Sequence, residues 1–176
     1  MKRLLIVLFF VCPVLTLMAE TRFMEQPRRV QNFEGGLKVG FGVPFDAFEG
    51  WKPAFNFGEV GAEVRYNFKN TGWDAGLLVL LQNHPWITDT GEHYSEGNCA
   101  VMLVGDYNFR QGRKINPYAG LGLGWDINDH LMVAAPRIGV EIVHHIRIET
   151  TFYISSRFGS MFMVSAGFAI GGRPKK

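Results

Sequence analysis

The sequence predicts an all-β protein, an eight-stranded antiparallel up-and-down β-barrel that spans a membrane. Three observations predict this fold: the chain begins like an exported protein, its polar and apolar residues alternate with a period of two, and its charges keep to one face of that alternation. The 176 residues include 21 glycines and show no helical periodicity. After removal of a leader, their number suits a single domain.

The first residues have the features of a secretory signal peptide. Met1-Lys2-Arg3 is basic, an apolar run extends from Leu4 to Met18, and Ala19 is a small residue at a plausible cleavage point. The run is shorter than the roughly 20 residues that a transmembrane helix needs. The expected organisation is a signal peptide over 1–19, a short periplasmic segment over 20–32, a barrel over 33–172 and a basic periplasmic tail over 173–176.

Composition excludes several classes of function. Removal of the leader takes away Lys2 and Arg3, so the net charge of +2 falls to about zero and gives no reason to expect a nucleic-acid partner. Cys99 is then the lone cysteine, and it cannot form an internal disulfide. The sequence has no His-Glu-x-x-His, no Cys-x-x-Cys and no phosphate loop, so we expect no cofactor and no metal centre.

The alternation is clearest over residues 59–69, where a charged, glycine-containing face opposes an apolar face that ends in Tyr66 and Phe68. A period of two indicates a β-strand, because successive side chains point to opposite faces. The third strand has the weakest pattern, since Leu78 and Leu80 fall on its polar side. The eight predicted strands are 33–43, 55–69, 73–82, 99–110, 116–126, 133–143, 145–156 and 160–171.

Twelve charged residues in these strands lie opposite the large apolar residues. A charge facing lipid costs about 2–4 kcal/mol at mid-membrane, and a barrel of eight strands encloses just enough room for side chains. We therefore predict a polar, salt-bridged lumen without an open pore, in which glycines leave room for the arginines. A narrow ion or proton path along the same groups is the alternative. The predicted lumen network comprises Glu34, Lys38, Glu59, Glu63, Arg65, Asp74, Asp106, Arg110, Arg137, Glu141, Arg147 and Glu149.

The connections and the aromatic residues indicate how the barrel is oriented. Short links after the second, fourth and sixth strands oppose longer loops at Pro44–Ala54 and Asn83–Asn98, which is typical of outer-membrane barrels with periplasmic termini. Aromatic rings favour the two membrane interfaces. The predicted periplasmic girdle comprises Tyr66, Phe68, Trp73, Tyr107, Phe109 and Phe168, and the predicted outer girdle comprises Phe41, Phe57, Trp125 and Phe162.

In the segment Asn116–Gly124, large apolar residues alternate with glycine. With this segment and the eight-strand architecture, the chain resembles the small outer-membrane barrels of the OmpA/OmpX type over nearly all of its mature length. The resemblance implies a monomer in the outer membrane of a Gram-negative bacterium, in contact with outer-membrane lipid and lipopolysaccharide and inserted by the barrel-assembly machinery. Many members end on an aromatic residue, whereas this chain ends in four non-aromatic residues after Gly172, so Phe168 is our candidate for an internal assembly signal.

The function predicted from these features is structural or interactive, not enzymatic. We expect a role in membrane integrity, adhesion or defence, exerted through the two longer loops. Exposed apolar side chains can mark contact sites. The candidate contact residues in these loops are Phe45, Phe48, Trp51, Trp86 and Tyr94.

Two alternatives stay open at this stage. A soluble exported lipocalin-like barrel would reverse the faces, with an apolar ligand cavity inside and charges outside. An outer-membrane hydrolase that modifies lipid A is suggested by His93-Tyr94-Ser95, which resembles the His-x-Ser of that enzyme class. The resemblance would make His93 the base and Ser95 the nucleophile.

Overall fold

The computed structural model describes residues 30–44, 51–53, 56–69, 71–155 and 159–172. The predicted signal peptide, residues 20–29 and the basic tail lie outside the described residues. None of the described residues forms a helix that could cross a membrane. The strands are β1 Phe33–Pro44, β2 Trp51–Pro53, β3 Asn56–Asn67, β4 Trp73–Thr88, β5 His93–Asn108, β6 Ile115–Asp126, β7 Leu131–Ile142, β8 Ile146–Ser155 and β9 Gly159–Gly171.

Eight of these strands close into an antiparallel barrel. The chain runs around it in the order β1, β3, β4, β5, β6, β7, β8 and β9, and β9 pairs back with β1, so that Leu37 lies opposite Phe168. The short β2 pairs with the far end of β4. A closed barrel satisfies the backbone groups of every strand and leaves no sheet edge along the wall. The predicted all-β, eight-stranded, up-and-down architecture is therefore confirmed.

The pleat separates two kinds of surface. On β5, Leu103 points outward and is 71% exposed, whereas its neighbours Met102 and Val104 point into the lumen and are 1% and 3% exposed. On β3, Val60 and Val64 lie outside and Glu59 and Arg65 inside. The outside of the barrel is thus apolar and the lumen holds the charges, as the alternation predicts.

The prediction of a loop at Asn83–Asn98 is wrong. β4 continues to Thr88 and β5 starts at His93, and the two strands stay paired from Trp73↔Tyr107 to Ile87↔His93. Pro85 and the nearby glycines suggested a loop because they usually interrupt strands. Pro85 is tolerated here because it lies between the residues of β4 that pair with β3 and those that pair with β2.

The result is a long hairpin that extends beyond the barrel wall. β3 pairs with β4 only as far as Gln82, and β6 pairs with β5 only as far as Ala100. Residues 83–98 therefore project past β3 and β6, with only the short β2 alongside, and we call them the projecting hairpin. It lies at the end of the barrel opposite the chain termini, which we call the loop end.

Candidate functional site

The lumen is filled by three layers of side chains, which follow one another along β4. Asp74 belongs to a charge network at the terminus end, Leu78 and Leu80 to an apolar layer, and Gln82 to a polar cluster at the loop end. Each layer is defined below by its residues.

Arg137 on β7 is the centre of the charge network. Its Nε and Nη2 atoms donate to Asp106 Oδ1 and Oδ2 at 2.8 and 2.6 Å, and Nη1 and Nη2 donate to Glu63 at 3.2 and 2.9 Å. The fork geometry of the guanidinium suits such two-point contacts with carboxylates. Arg137 Nη1 also lies 3.5 Å from Glu149 Oε2. One side chain thus ties β7 to β3, β5 and β8.

Arg65 on β3 forms a second hub. Its guanidinium lies 2.8 Å from Glu34, 3.0 Å from Glu63 and 3.1 Å from Asp106. Two further bases complete the network. Arg147 pairs with Glu34 at 2.6 Å and with Glu141 at 2.8 Å, and Lys38 pairs with Glu149 at 2.7 Å and with Glu59 at 3.3 Å. Apart from Arg65–Glu63, which lies within β3, the pairs join different strands, so the network braces the barrel from inside.

Eleven of the twelve charged residues expected in the lumen take part in these ion pairs. Arg110 differs, since β5 ends at Asn108 and Arg110 lies in the turn that follows, outside the ion pairs of the described residues. The strand pattern does not reach it. Among the paired residues, seven acids meet four bases. Tyr118 adds a neutral donor, whose hydroxyl donates to Glu149 Oε2 at 2.9 Å.

Glycines make the network possible because they let side chains reach across a strand. Gly120 lies between Asp106 and Arg137 in the register, and Gly139 lies between Tyr118 and Glu149. A Cβ atom at Gly120 would contact the Asp106 carboxylate, and one at Gly139 would lie 2.5 Å from the Tyr118 ring. The sequence predicts that glycines leave room for arginines, and Gly76 does so, because a Cβ atom added there would lie 2.5 Å from Arg65 Cγ. Gly61 and Gly124 instead make room for the side chains of Lys38 and Met102.

The apolar layer was not predicted from the sequence. It closes the lumen beyond the charge network with well-buried aliphatic and methionine side chains, and methionine fills irregular space readily. The weak alternation at Leu78 and Leu80 was the signal that could have revealed it. The apolar layer comprises Leu78, Leu80, Ala100, Met102, Val104, Val133, Ala135, Met161 and Met163.

The polar cluster lies beyond the apolar layer, at the loop end. Gln82 and Asn98 lie opposite each other on β4 and β5, Asp126 ends β6, and Tyr153 belongs to β8. All four are buried. We define the polar cluster as these four residues.

The aromatic residues at the terminus end form edge-to-face pairs. Tyr66 contacts Phe68 at 5.4 Å, Trp73 contacts Tyr107 at 5.1 Å, and Tyr107 contacts Phe109 at 5.2 Å between ring centroids. Phe168 stacks on the His145 imidazole at 5.4 Å. At the loop end, Trp125 is exposed while Phe41 and Phe162 are half-buried, and the Phe57 side chain lies outside the described part.

The structure places the loop contact candidates differently from the prediction. Trp86 and Tyr94 are strand residues of the projecting hairpin, where they pair with each other, and Trp51 belongs to β2. The Tyr94 hydroxyl donates to Glu92 at 3.0 Å. Phe45 and Phe48 lie outside the described residues.

The hydrolase alternative gains no support from the geometry. His93 and Ser95 lie on β5, both exposed. In the described part of the chain, neither side chain forms a hydrogen bond with the other or with a carboxylate. A nucleophile and base need such contacts, with a third group to orient the base.

Solved structures share this architecture. Ail, the attachment invasion locus protein of Yersinia pestis, solved in complex with the heparin analogue sucrose octasulfate, matches with a TM-score of 0.50 and 11% sequence identity over 79% of this chain and 99% of Ail. The chain has the fold of the small outer-membrane barrels. OprG from Pseudomonas aeruginosa also matches, with a TM-score of 0.46 and 11% identity over 84% of this chain and 97% of OprG.

The match to Ail confirms the predicted OmpA/OmpX-type small-barrel architecture at the level of the fold. At this identity the likeness carries no information on ligands. No protein-family model matches the sequence, and the comparison with curated proteins yields no match.

Proposed function

We propose that the protein is an integral outer-membrane barrel, closed to passage, that holds the projecting hairpin at the cell surface for contact with external partners. The observation that carries this proposal is the division of the barrel wall. Among the described residues of the eight barrel strands, every Asp, Glu, Lys and Arg lies in the lumen except Glu96, which is exposed on the projecting hairpin, and the outward side chains of the barrel wall itself are mainly apolar. Only a lipid environment makes such an exterior favourable over the whole circumference.

The same division argues against a soluble lipocalin-like barrel. That class needs an apolar cavity inside and a charged exterior. Here Arg65, Arg137 and Asp106 are buried in the lumen, while Leu37, Leu103 and Ile170 are more than two-thirds exposed outside. In water this exterior would cause aggregation.

The side chains that fill the lumen are evidence that the barrel is closed to passage. The polar groups along the axis are interrupted by the apolar layer, which separates the charge network from the polar cluster. The cavity within the charge network, lined by Lys38, Arg65, Arg147 and Glu149 among others, measures about 20 Å³. That is room for about one water molecule. We therefore expect no steady single-channel conductance, and ion-selective conductance would contradict the closed lumen.

The projecting hairpin supports a role in surface contacts. Its tip and the start of β5, residues 89–97, are exposed, and Tyr94 is 49% exposed. On β5, residues 93–99 pair with β4 but lie beyond the β6 ladder. Functional contacts are commonly made by segments that a rigid scaffold positions in this way.

Orientation and location can be tested by cysteine labelling in intact cells. In a Cys99→Ala background, Ser95→Cys on the projecting hairpin should react with a membrane-impermeant maleimide. Thr71→Cys, exposed in the β3–β4 turn at the terminus end, should react only after permeabilisation. Recovery of the protein from the membrane fraction, with a gel mobility that changes on boiling, completes the test. Labelling of Thr71→Cys in intact cells, or a soluble periplasmic protein, would refute the proposal.

The surface role needs a separate measurement. Replacing residues 86–94 by a two-residue turn keeps the buried His84 and Asn98. It should leave insertion and heat-modifiable mobility intact but reduce adhesion of the cells to host surfaces. A matched variant that shortens the loop-end turn at 127–130 should retain adhesion. If the hairpin deletion leaves adhesion and resistance to host defence unchanged, the contact role fails while the membrane location stands.

A further inference from the structure

The polar cluster contains buried polar atoms that the protein itself leaves without hydrogen bonds. Gln82 and Asn98 are 2% and 4% exposed, and Asp126 and Tyr153 are fully buried. Both amide atoms of Gln82, both of Asn98, Asp126 Oδ2 and Tyr153 Oη make no hydrogen bond with a described residue. Leaving one such atom unsatisfied costs about 1–3 kcal/mol, and buried polar groups are nearly always satisfied.

These six atoms lie in one place. Gln82 and Asn98 face each other across the β4–β5 ladder, and both amides lie within hydrogen-bonding reach of the Tyr153 hydroxyl, whereas Asp126 acts on it through its charge. The His84 ring flanks them, with its centroid 6.3 Å from that of Tyr153. With the amide N–H groups directed to the Tyr153 hydroxyl, Gln82 Oε1, Asn98 Oδ1 and Asp126 Oδ2 remain for a bound species.

The charge of the cluster indicates what that species is. Asp126 Oδ1 accepts hydrogen bonds from the backbone N–H groups of Asn128 and Asp129 at 2.9 and 3.2 Å, which holds the carboxylate in place, whereas Oδ2 makes no hydrogen bond with a described residue. Within the described part of the chain, no lysine or arginine forms an ion pair with Asp126. A buried carboxylate needs a positive partner.

The oxygen atoms available in the polar cluster suit a hard cation as ligands. Amide and carboxylate oxygens are ligands that Ca²⁺ takes, usually with water completing a set of six to eight. No group of three or more His, Cys, Asp or Glu side chains among the described residues is arranged to hold a metal ion, so the amide oxygens have to contribute. We propose that the polar cluster binds a hydrated hard cation, Ca²⁺ foremost, through Asp126 Oδ2, Gln82 Oε1 and Asn98 Oδ1. The amide N–H groups and the Tyr153 hydroxyl then donate to neighbouring acceptors or coordinated water.

The position of the site gives it a consequence. The apolar layer closes it from the terminus end, so the ion enters from the loop end. Its ligands belong to β4, β5 and β6 at the base of the projecting hairpin. The bound cation therefore fastens the hairpin to the barrel, independently of which partner the hairpin contacts.

The test uses the full mature chain refolded in detergent micelles. Thermal unfolding, followed by the loss of the compact gel form, is compared in EDTA, in CaCl₂ and in NaCl at equal ionic strength. At a saturating concentration, CaCl₂ should raise the unfolding midpoint by about 5 °C. Asp126→Asn should weaken the response roughly tenfold in Ca²⁺ concentration. Asp89→Asn, an exposed acid in the hairpin turn, is the matched control and should respond like the parent.

A second measurement, luminescence of bound Tb³⁺, tests the site if one of the variants fails to fold. Tb³⁺ bound in place of Ca²⁺ should show luminescence sensitised by the Tyr153 ring, which Tyr153→Phe and Gln82→Leu should each reduce. A response to Na⁺ without a response to Ca²⁺ supports a cation site with a monovalent occupant. Identical midpoints in all three salts, or an undiminished Ca²⁺ response of Asp126→Asn, overturn the proposal and leave ordered water as the occupant.

Discussion

Arg137 reaches Asp106 across Gly120. The three residues are in register on β7, β6 and β5, and two hydrogen bonds of 2.8 and 2.6 Å join the guanidinium to the carboxylate over the glycine. Next to this contact, the Tyr118 hydroxyl reaches Glu149 over Gly139 in the same way. Large polar side chains on alternate strands with glycine between them therefore fill the narrow lumen and brace it.

Removal of the Arg137 side chain should destabilise the barrel strongly. Arg137→Met leaves Asp106 and Glu63 buried without their main partner, and breaking a buried ion pair from one side costs about 3–5 kcal/mol. Arg137→Lys keeps the charge but loses the two-point contacts, so its loss should be intermediate. Urea unfolding in lipid vesicles, followed by gel mobility, measures both. The control is Lys114→Met, an exposed base in the β5–β6 connection, which should change stability by less than about 0.5 kcal/mol. Equal midpoints for Arg137→Met and Lys114→Met would contradict the central position of Arg137.

Filling the gap at Gly120 should be costly. A Cβ atom at Gly120 would contact the Asp106 carboxylate and the backbone oxygen of Gly105, and it would lie 2.8 Å from Asp106 Cγ. Since backbone cannot yield as a flexible side chain can, we expect Gly120→Ala to lose about 1–3 kcal/mol of unfolding free energy. Gly105→Ala on the neighbouring strand is the control, because its nearest atom would lie at an ordinary 3.8 Å. A smaller loss for Gly120→Ala than for Gly105→Ala in the same urea assay would rule out the close contact.

The β7–β8 turn should gain stability from a change of residue. Val143 and His144 have φ of 54° and 63°, and His145 N–H donates to the Ile142 carbonyl at 3.2 Å, as in a type I′ β-turn, here within a three-residue connection. A β-branched residue is strained in this region, whereas asparagine adopts it readily. Val143→Asn should therefore raise the unfolding free energy by about 1 kcal/mol. Val60→Asn, an equally exposed valine on the outside of β3, should lower it. A loss of stability in Val143→Asn would show that the turn is not strained.

The orientation of each strand could be predicted because charge marks the lumen without ambiguity. Glu63 and Arg65 fix the inner face of β3, and Arg137 and Glu141 fix that of β7. In the loop-end half of β4 and β5 no charge identifies the inner face, because Leu78, Leu80 and Met102 make both faces apolar. The apolar layer could therefore not be predicted.

Pairing inside the lumen could not be predicted from the chain. The partner of Arg137 depends on the stagger between β5, β6 and β7 and on the gap at Gly120, and neither follows from alternation. The projecting hairpin was missed for a local reason. Pro85 usually ends a strand, and its tolerance at this position depends on where β3 stops and β2 begins.

The cost in stability of introducing a charge on the outward face distinguishes a membrane barrel from a soluble one. Leu103 lies in the middle of the outward apolar set of β5, between Val101 and Tyr107, and is 71% exposed. If water surrounded it, Leu103→Arg would change stability by no more than about 0.5 kcal/mol. In a bilayer the same change should cost about 2–4 kcal/mol, because arginine is costly at mid-membrane depth. Ile127→Arg, in the loop-end turn after β6, is the control and should cost at most about 1 kcal/mol. Unfolding in phospholipid vesicles gives both values, and a Leu103→Arg variant as stable there as the parent would contradict the lipid-facing exterior.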